Sequence, residues 1–182
     1  MPKTLVLIAD GSEEMEAVIT IDVLRRAGWP VTVAAAKEQP TIMASRGVKI
    51  QADICLHELD ASSYPLIVLP GGKGGTEVFS TNVAVQTLLQ QFHATGKTIA
   101  AICAAPLALD AAGILEGRQY TCYPGVNADI SAGHYHNSRV VEDGNLITSQ
   151  GPGTTFAFAL ALVAHFETKK AADELRRQMV LT

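Results

Sequence analysis

The sequence is poor in cysteine, in charge and in aromatic side chains. Its 182 residues include three cysteines, 5% aromatic residues and 18% charged residues. Cys55, Cys103 and Cys122 are an odd number of widely spaced thiols without a Cys-x-x-Cys motif. This pattern argues against the disulfide framework of a small secreted protein and predicts reduced thiols in a cytoplasmic one. The charged fraction is below the usual value of about 25%, which indicates that much of the chain is buried.

Three further absences narrow the classes of partner. No run of lysine or arginine occurs and the formal net charge is −4, so no nucleic-acid-binding surface is expected. The longest apolar stretch, residues 156–164, is far shorter than the ~20 residues needed to cross a bilayer. The apolar run at 5–9 is too short for a secretory signal and is followed at once by acidic residues. We therefore expect a soluble protein that has no targeting signal and acts on small molecules or on other proteins.

Short apolar runs alternate with stretches of helical periodicity along the chain. The runs predict strands at 4–9, 31–36, 48–50, 54–56, 66–69 and 98–102, and a hairpin of 140–142 with 146–149. Apolar spacing predicts helices at 13–27, 82–94, 106–112, 154–166 and 169–179. The chain has no internal repeat and no linker. This order predicts one α/β domain over residues 1–182, with a mostly parallel sheet covered by helices on both faces.

Cys103 stands where a predicted strand runs directly into a predicted helix. In open α/β sheets ligands bind beyond the carboxyl ends of the strands, and a helix N-terminus favours thiolate over thiol. Thiolates in such positions can have a pKa depressed to roughly 3.5–7.5. Small neighbours on both sides would permit the tight turn that exposes a nucleophile. The alternative is a small buried side chain, which is the commoner fate of a free cysteine.

Two other segments follow predicted strands and so lie on the same edge of the sheet as Cys103. The glycine-rich segment 71–75 lacks the phosphate-binding patterns, but glycines would let backbone N–H groups approach a developing oxyanion. A flexible turn is the alternative there. Glu13, Glu14 and Glu16 open the first helix, where acids usually serve as exposed partners of the helix dipole. Glu16 lies on a different helix face from Glu14, and a carboxyl facing a thiolate would have a raised pKa.

No metal site and no cofactor are predicted. His134 and His136 lie in a predicted loop and have no third ligand in the sequence. No histidine stands near Cys103 in the sequence, although a distant one could approach it in space. The sequence therefore does not indicate a Cys–His pair.

Five ordered motifs carry a family resemblance that spans nearly the whole chain. They are residues 9–16 (ADGSEEME), 22–28 (DVLRRAG), 69–72 (LPGG), 100–106 (AAICAAP) and 148–154 (TSQGPGT). With these motifs the chain resembles the ThiJ/PfpI superfamily. Within it, the chain is most similar to the branch of the parkinsonism-associated deglycase and its bacterial ThiJ-like relatives.

The resemblance implies a flavodoxin-like three-layer α/β sandwich with a nucleophile elbow, usually assembled as a homodimer. It implies that Cys103 is an oxidation-prone nucleophile and that the protonated carboxyl of Glu16 hydrogen-bonds it. Gly72 and Ala104 would supply the N–H groups of the oxyanion site. The apolar helix 154–166 could also form a dimer face, although a buried core helix is favoured there, and sedimentation would distinguish the two.

One residue departs from the family pattern. Where many members have a histidine beside the cysteine and just before a proline, this chain has Tyr123 followed by Pro124. A tyrosine phenol ordinarily has a pKa of about 10, so it does not replace imidazole as a base at neutral pH. It could still donate a hydrogen bond to a substrate oxygen. The protease branch, with a histidine directly after the nucleophile, is disfavoured because Ala104 stands there.

Two functional hypotheses follow from the resemblance. The first is a cysteine-dependent deglycase or glutathione-independent glyoxalase that acts on methylglyoxal, glyoxal or their early adducts on proteins and nucleotides. The second is a peroxide-responsive redox sensor or chaperone in which Cys103 is oxidised to a sulfinate. One reactive thiol could serve both.

Overall fold

A seven-stranded sheet with helices on both faces forms the centre of the computed structural model, which describes residues 1–181. The strands are Thr4–Ile8 (β1), Val31–Ala35 (β2), Thr41–Met43 (β3), Lys49–Gln51 (β4), Ile54–Cys55 (β5), Leu66–Leu69 (β6), Thr98–Ile102 (β7), Gln119–Tyr120 (β8), His134–Tyr135 (β9), Val140–Asp143 (β10) and Leu146–Ser149 (β11). The helices are Glu14–Arg26 (α1), Lys73–Thr81 (α2), Val83–Ala94 (α3), Pro106–Ala111 (α4), Thr155–Phe166 (α5) and Lys169–Gln178 (α6).

The strand order of the central sheet is β10-β11-β7-β6-β1-β2-β5. All neighbours pair in parallel except β10, which is antiparallel to β11 at one edge. The chain builds outward from β1 through β2 and then crosses to β6 on the other side of β1. This reversal creates a switch point between β1 and β6, where open α/β sheets leave a crevice. The predicted fold class, a mostly parallel sheet covered on both faces, is confirmed.

Both faces of the sheet are buried, which explains the uninterrupted apolar runs of its strands. Side chains alternate along a strand, so Leu5 and Leu7 of β1 belong to one apolar cluster, while Val6 and Ile8 belong to the other. The first cluster includes side chains of α2, α3 and α4, and the second includes side chains of α1, α5 and α6. The apolar helix α5 is therefore a core helix. Among residues 1–181, no helix is long and apolar enough to cross a membrane.

The fold contains one α-helix and three strands that the sequence does not predict, namely α2, β3, β8 and β9. The segment 71–75 is a turn only at its start, because α2 begins at Lys73 and contains two further glycines. Strand β4, predicted at 48–50, lies outside the main sheet and pairs with β3, for which the sequence predicts no strand. Glycine disfavours helix when propensity alone decides, by about 1 kcal/mol relative to alanine. Tertiary contacts override that preference here, and a local sequence pattern does not show them.

The turn after β1 packs directly against the start of α2. Gly11 has a φ of +80°, and a Cβ added there would lie 2.7 Å from Cα of Gly74. A backbone atom of a packed helix has no room to give, so only glycine fits at this position. The contact places the end of β1 and the start of α2 side by side at the carboxyl edge of the sheet.

Replacing this glycine tests the contact. Gly47 is the matched control, since it also has a positive φ, +84°, but no atom within 4 Å of an added Cβ. We expect Gly47→Ala to cost about 1–2 kcal/mol of folding free energy, the cost of the left-handed backbone alone. Gly11→Ala should cost about 1–3 kcal/mol more because of the clash. Urea unfolding measures both, and equal losses would show that the packing is not tight.

Candidate active site

The candidate site lies beyond the carboxyl ends of three adjacent strands at the centre of the sheet. Strand β7 ends at Ile102 and is followed by Cys103. Strand β6, which lies between β7 and β1, ends at Leu69 and is followed by the glycine pair 71–72. Strand β1 leads through a turn into α1, which carries Glu16. The parallel pairing brings all three chain segments to one edge. The three predicted segments therefore meet in space.

Cys103 is held in an unusual backbone conformation. Its φ is +66°, one of two positive values outside glycine among residues 1–181. The Cys103 N–H donates to the carbonyl of Ser149 at 3.0 Å, and the Cys103 carbonyl accepts from the N–H of Tyr123 at 2.8 Å. These two bonds fix the strained turn on both sides. Such strain, of order 1–3 kcal/mol, is typical of functional sites.

Glu16 is a fully buried carboxyl in the first turn of α1. Its Oε2 accepts from the N–H of Gly71 at 2.7 Å. Its Oε1 is also buried and has no N–H or O–H partner among residues 1–181. Burial raises the pKa of Glu16 to about 7, against the opposing effect of hydrogen bonds from Gly71 and Cys103. The cause is therefore desolvation rather than the charge of a facing thiolate, which the sequence led us to expect.

Gly71 allows the acid and the thiol to approach each other. A Cβ added at Gly71 would lie 2.6 Å from Cβ of Cys103 and 2.8 Å from Oε2 of Glu16. Any side chain would therefore separate the two groups or displace them. The sequence motif contains Gly71, but nothing in the motif distinguishes this spacing role from that of an ordinary turn.

The thiol environment corrects one expectation. Burial, followed by the negative charge of Glu16, raises the pKa of Cys103 to about 12, whereas the N–H groups of Gly72 and Ala104 act to lower it. We expected a depressed pKa from a helix N-terminus. Helix α4, however, begins only at Pro106, with Ala105 as its cap residue, and it is six residues long. Burial and the charge of Glu16 therefore outweigh the effect of the two N–H groups, and the thiol needs a base to ionise it.

The resemblance implies Gly72 and Ala104 as the oxyanion donors, and both residues line the same cleft as Cys103. Their backbone N–H groups act to lower the pKa of the Cys103 thiol, which means that they favour the thiolate. An oxygen bonded to a carbon on that sulfur would lie within reach of the same donors, as an oxyanion site requires. The arrangement can therefore stabilise negative charge on the sulfur or next to it.

The remaining predicted residue, Tyr123, lies beside Cys103 on a different segment. Its backbone is tied to Cys103 by the 2.8 Å hydrogen bond, and its side chain is 49% exposed. The neighbouring Cys122 is fully buried, and burial raises its pKa to about 11. Cys55 is buried as well, on the edge strand β5. Of the three thiols, only Cys103 lines the cleft at this edge of the sheet.

A cleft of about 930 Å³ opens onto Cys103, Ala104 and Tyr123. One wall comes from the β3–β4 hairpin, whose Ser45 and Arg46 are anchored to Glu14 by hydrogen bonds of 2.7 Å each. The sequence did not indicate these wall residues, because they reach the site only through the pairing of a hairpin with the α1 turn. Within residues 1–181, no three His, Cys, Asp or Glu side chains are grouped as a metal site would require.

Comparison with known proteins gives this geometry a family. The model of the DJ-1/PfpI family matches residues 2–165. The chain belongs to the DJ-1/PfpI family. The resemblance read from the five motifs is thereby confirmed over nearly the whole chain.

Several relatives within the DJ-1/PfpI family are close in sequence. Protein DJ-1 homolog B of Arabidopsis thaliana is 45% identical over 97% of this chain, which spans only 40% of that relative's length. The Parkinson disease protein 7 homolog of Danio rerio is 40% identical, over 98% of this chain and 97% of the relative. The glutathione-independent glyoxalase DJR-1.2 of Caenorhabditis elegans is 33% identical, over 97% of this chain and 95% of the relative.

A solved DJ-1 structure has nearly the same backbone. The C103A mutant of the DJ-1 superfamily protein STM1931 from Salmonella typhimurium superimposes with a TM-score of 0.96 at 35% identity, and each chain is covered completely. The fold is therefore that of the DJ-1 superfamily.

The raised pKa of Glu16 predicts a specific dependence of stability on pH. Its pKa is about 7 in the folded protein against 4.5 for a free side chain, so the folded state keeps a proton that the unfolded chain releases. Stability should be greatest below pH 4.5 for this group and should fall by about 3 kcal/mol as the pH rises through 7.

The matched variant is Glu16→Gln, which keeps the shape but cannot ionise. Urea unfolding of both proteins at pH 5 and pH 8 gives the difference, in which the contributions of the five histidines cancel. Wild type should lose stability relative to the variant across this range. Parallel stabilities at both pH values would show that Glu16 titrates normally.

Proposed function

We propose that this DJ-1/PfpI protein is a cysteine-dependent glyoxalase or deglycase acting on methylglyoxal, glyoxal or their early adducts. The observation that carries the proposal is the buried pair of Cys103 thiol and Glu16 carboxyl, with the pKa of Glu16 raised to about 7. A group with that pKa gives and accepts a proton with similar ease at neutral pH. The nematode relative named as a glutathione-independent glyoxalase supports the same reaction class.

The first step is addition of sulfur to the aldehyde carbon. The Glu16 carboxylate accepts the thiol proton as the S–C bond forms, and the electron pair of the C=O π bond moves onto oxygen. The N–H groups of Gly72 and Ala104 stabilise that charge, since they already act on the sulfur. Glu16 then returns the proton to the oxygen, which gives a neutral hemithioacetal with no change in proton count.

The later steps use the same carboxyl. For methylglyoxal, Glu16 removes the proton from the former aldehyde carbon to form an enediol, and protonation of the neighbouring carbon gives a lactoyl thioester. Water hydrolyses the thioester, which releases lactate and restores the thiol. For an early adduct, the S–C bond forms as the bond from that carbon to the amine or guanidine nitrogen breaks. Glu16 passes the thiol proton to the leaving nitrogen, and the same hemithioacetal results. Glu16 thus serves as base and acid in turn.

Removing either partner should abolish methylglyoxal consumption. We expect Cys103→Ala to reduce the rate to that of buffer, and Glu16→Gln to reduce kcat by about 10²–10⁴, the usual contribution of a general acid–base. Cys55→Ala is the control because Cys55 is a buried thiol on β5, away from the cleft. Lactate formation is measured with free thiol and buffer blanks. Equal rates for wild type and Cys103→Ala would remove the proposal.

One observation favours redox sensing as a second role. The N–H groups of Gly72 and Ala104 act on the sulfur before any substrate is present, so they can equally stabilise oxygens bound to it. With two equivalents of peroxide, the Cys103 thiol becomes a sulfinic acid and two molecules of water are released. Glu16 in its protonated form would donate to a sulfinate oxygen.

This second role predicts selective oxidation. Mild peroxide should add two oxygens to Cys103 while Cys55 and Cys122, which are buried and do not line the cleft, stay reduced. Intact mass followed by peptide mapping measures the site of modification. Glu16→Gln is the informative comparison, because the amide keeps a donor while losing the titration. Oxidation confined to Cys55 or Cys122 would contradict the sensor role.

The homodimer implied by the family resemblance stays a prediction. Met15 and Val18 on α1 are about half exposed, which is the kind of surface that an interface between two copies would cover. Sedimentation equilibrium measures the assembly state, and a monomeric mass would exclude the dimer.

A further inference from the structure

Tyr123 presents an exposed aromatic ring inside the cleft that holds the nucleophile. Its side chain is 49% exposed, and it lines the cleft together with Cys103. The hydrogen bond from the Tyr123 N–H to the Cys103 carbonyl, 2.8 Å long, fixes the start of this side chain relative to the thiol. A group bound against the ring is therefore held at a set position beside the sulfur.

The ring rests on a glycine of the loop before α5. A Cβ added at Gly151 would lie 3.2 Å from Cδ2 and 3.6 Å from Cε2 of Tyr123. Gly151 thus lets the ring pack on the backbone, and Pro152 continues this wall along the cleft. The ring is thus supported by Gly151 and exposed in the lining of the cleft, as a stacking platform requires.

The charges around the cleft favour a cation. Its lining includes the carboxylates of Glu13, Glu77 and Asp129 against the cations of Arg46 and Lys73. One positive charge on the ligand would balance this excess. The volume of about 930 Å³ is also far larger than a free dicarbonyl needs, and lies in the range of about 300–1,000 Å³ that holds drug-sized ligands.

We propose that Tyr123 determines specificity by stacking on the planar guanidinium of an arginine-derived adduct while the adduct carbon lies at the Cys103 sulfur. This inference rests on the proposed function and names its substrate class. A guanidinium is planar, weakly hydrated and cationic, so it suits both the ring and the charge of the cleft. The ammonium of a lysine adduct has the charge but is compact and strongly hydrated, so it gains less from the ring.

Protection of Cys103 from alkylation tests the proposal without requiring turnover. The probes are the N-acetyl amides of arginine, lysine and citrulline, of which lysine shares the charge and citrulline the planar shape. The readout is the concentration of each probe that halves the rate of Cys103 alkylation by iodoacetamide at fixed pH. Arginine should act at a concentration about two- to fivefold lower than either of the others, as a cation–π contact at a partly exposed site allows.

Two variants separate the ring from its hydroxyl. Tyr123→Phe should keep the preference for arginine because the ring remains, whereas Tyr123→Ala should lose it. Rates are normalised to each unliganded variant, and unfolding by urea checks that both variants fold. The pair also distinguishes stacking from a hydrogen bond, since a preference lost in Tyr123→Phe would assign recognition to the hydroxyl and overturn the proposal.

The other outcomes are decisive as well. Equal protection by arginine and lysine, or by arginine and citrulline, would overturn stacking of a cationic plane, as would no protection by any probe. Failure of the proposed function gives a different result, namely arginine-selective protection without methylglyoxal consumption. Loss of the arginine preference with full methylglyoxal consumption would leave the glyoxalase in place and remove only the substrate class.

Discussion

The Cys103 thiol and the Glu16 carboxyl lie against each other in a part of the molecule that water barely reaches. Glu16 is fully buried, and Cys103 is 9% exposed. A buried negative charge is costly, and two adjacent ones are more costly still, so the pair carries at most one negative charge near neutral pH. The neighbouring N–H groups reflect this restriction, because Gly71 donates to the carboxyl while Gly72 and Ala104 act to lower the pKa of the thiol. Whichever group holds the charge therefore finds a donor already in place.

Burying this pair lowers the stability of the folded protein, and favourable contacts elsewhere in the fold offset that loss. The positive φ of Cys103 and the buried carboxyl are both unfavourable on their own. The sheet offsets them with two apolar layers, since β1 and its neighbours are buried on both faces. In a sheet of this kind, polar functional groups lie beyond the carboxyl ends of the strands. The strain is thus confined to one turn that is fixed by backbone hydrogen bonds at both ends.

Sequence patterns predicted the fold and which chain segments meet at the candidate site, but not the electrostatics. The apolar runs at β1, β6 and β7 are long enough to identify strands. Because the carboxyl ends of parallel strands lie at one edge of the sheet, Cys103 and Glu16 are expected near each other. Helix α2 is not predicted, because glycine has a low helix propensity. Its glycines allow the close contact with the turn at Gly11, which a local pattern does not show. The predicted shift of the Cys103 pKa had the wrong direction. Burial depends on every layer of the fold, whereas the start of a helix can be recognised from the local sequence. Arg46 reaches the cleft through hairpin pairing, which leaves no local signal.

The exchange of histidine for Tyr123 reassigns the proton chemistry of the site. Among the residues that line the cleft none is a histidine, and the phenol is not a base at neutral pH. In the proposed mechanism, proton movement at the sulfur therefore falls to Glu16, whose second oxygen is buried and has no N–H or O–H donor among residues 1–181. A single group must then accept the thiol proton, return it to oxygen and later act on carbon. That sequence requires a carboxyl whose pKa is near the working pH, and burial rather than a charged neighbour sets it there. The tyrosine ring, released from acid–base work, is available to bind the part of the ligand that does not react.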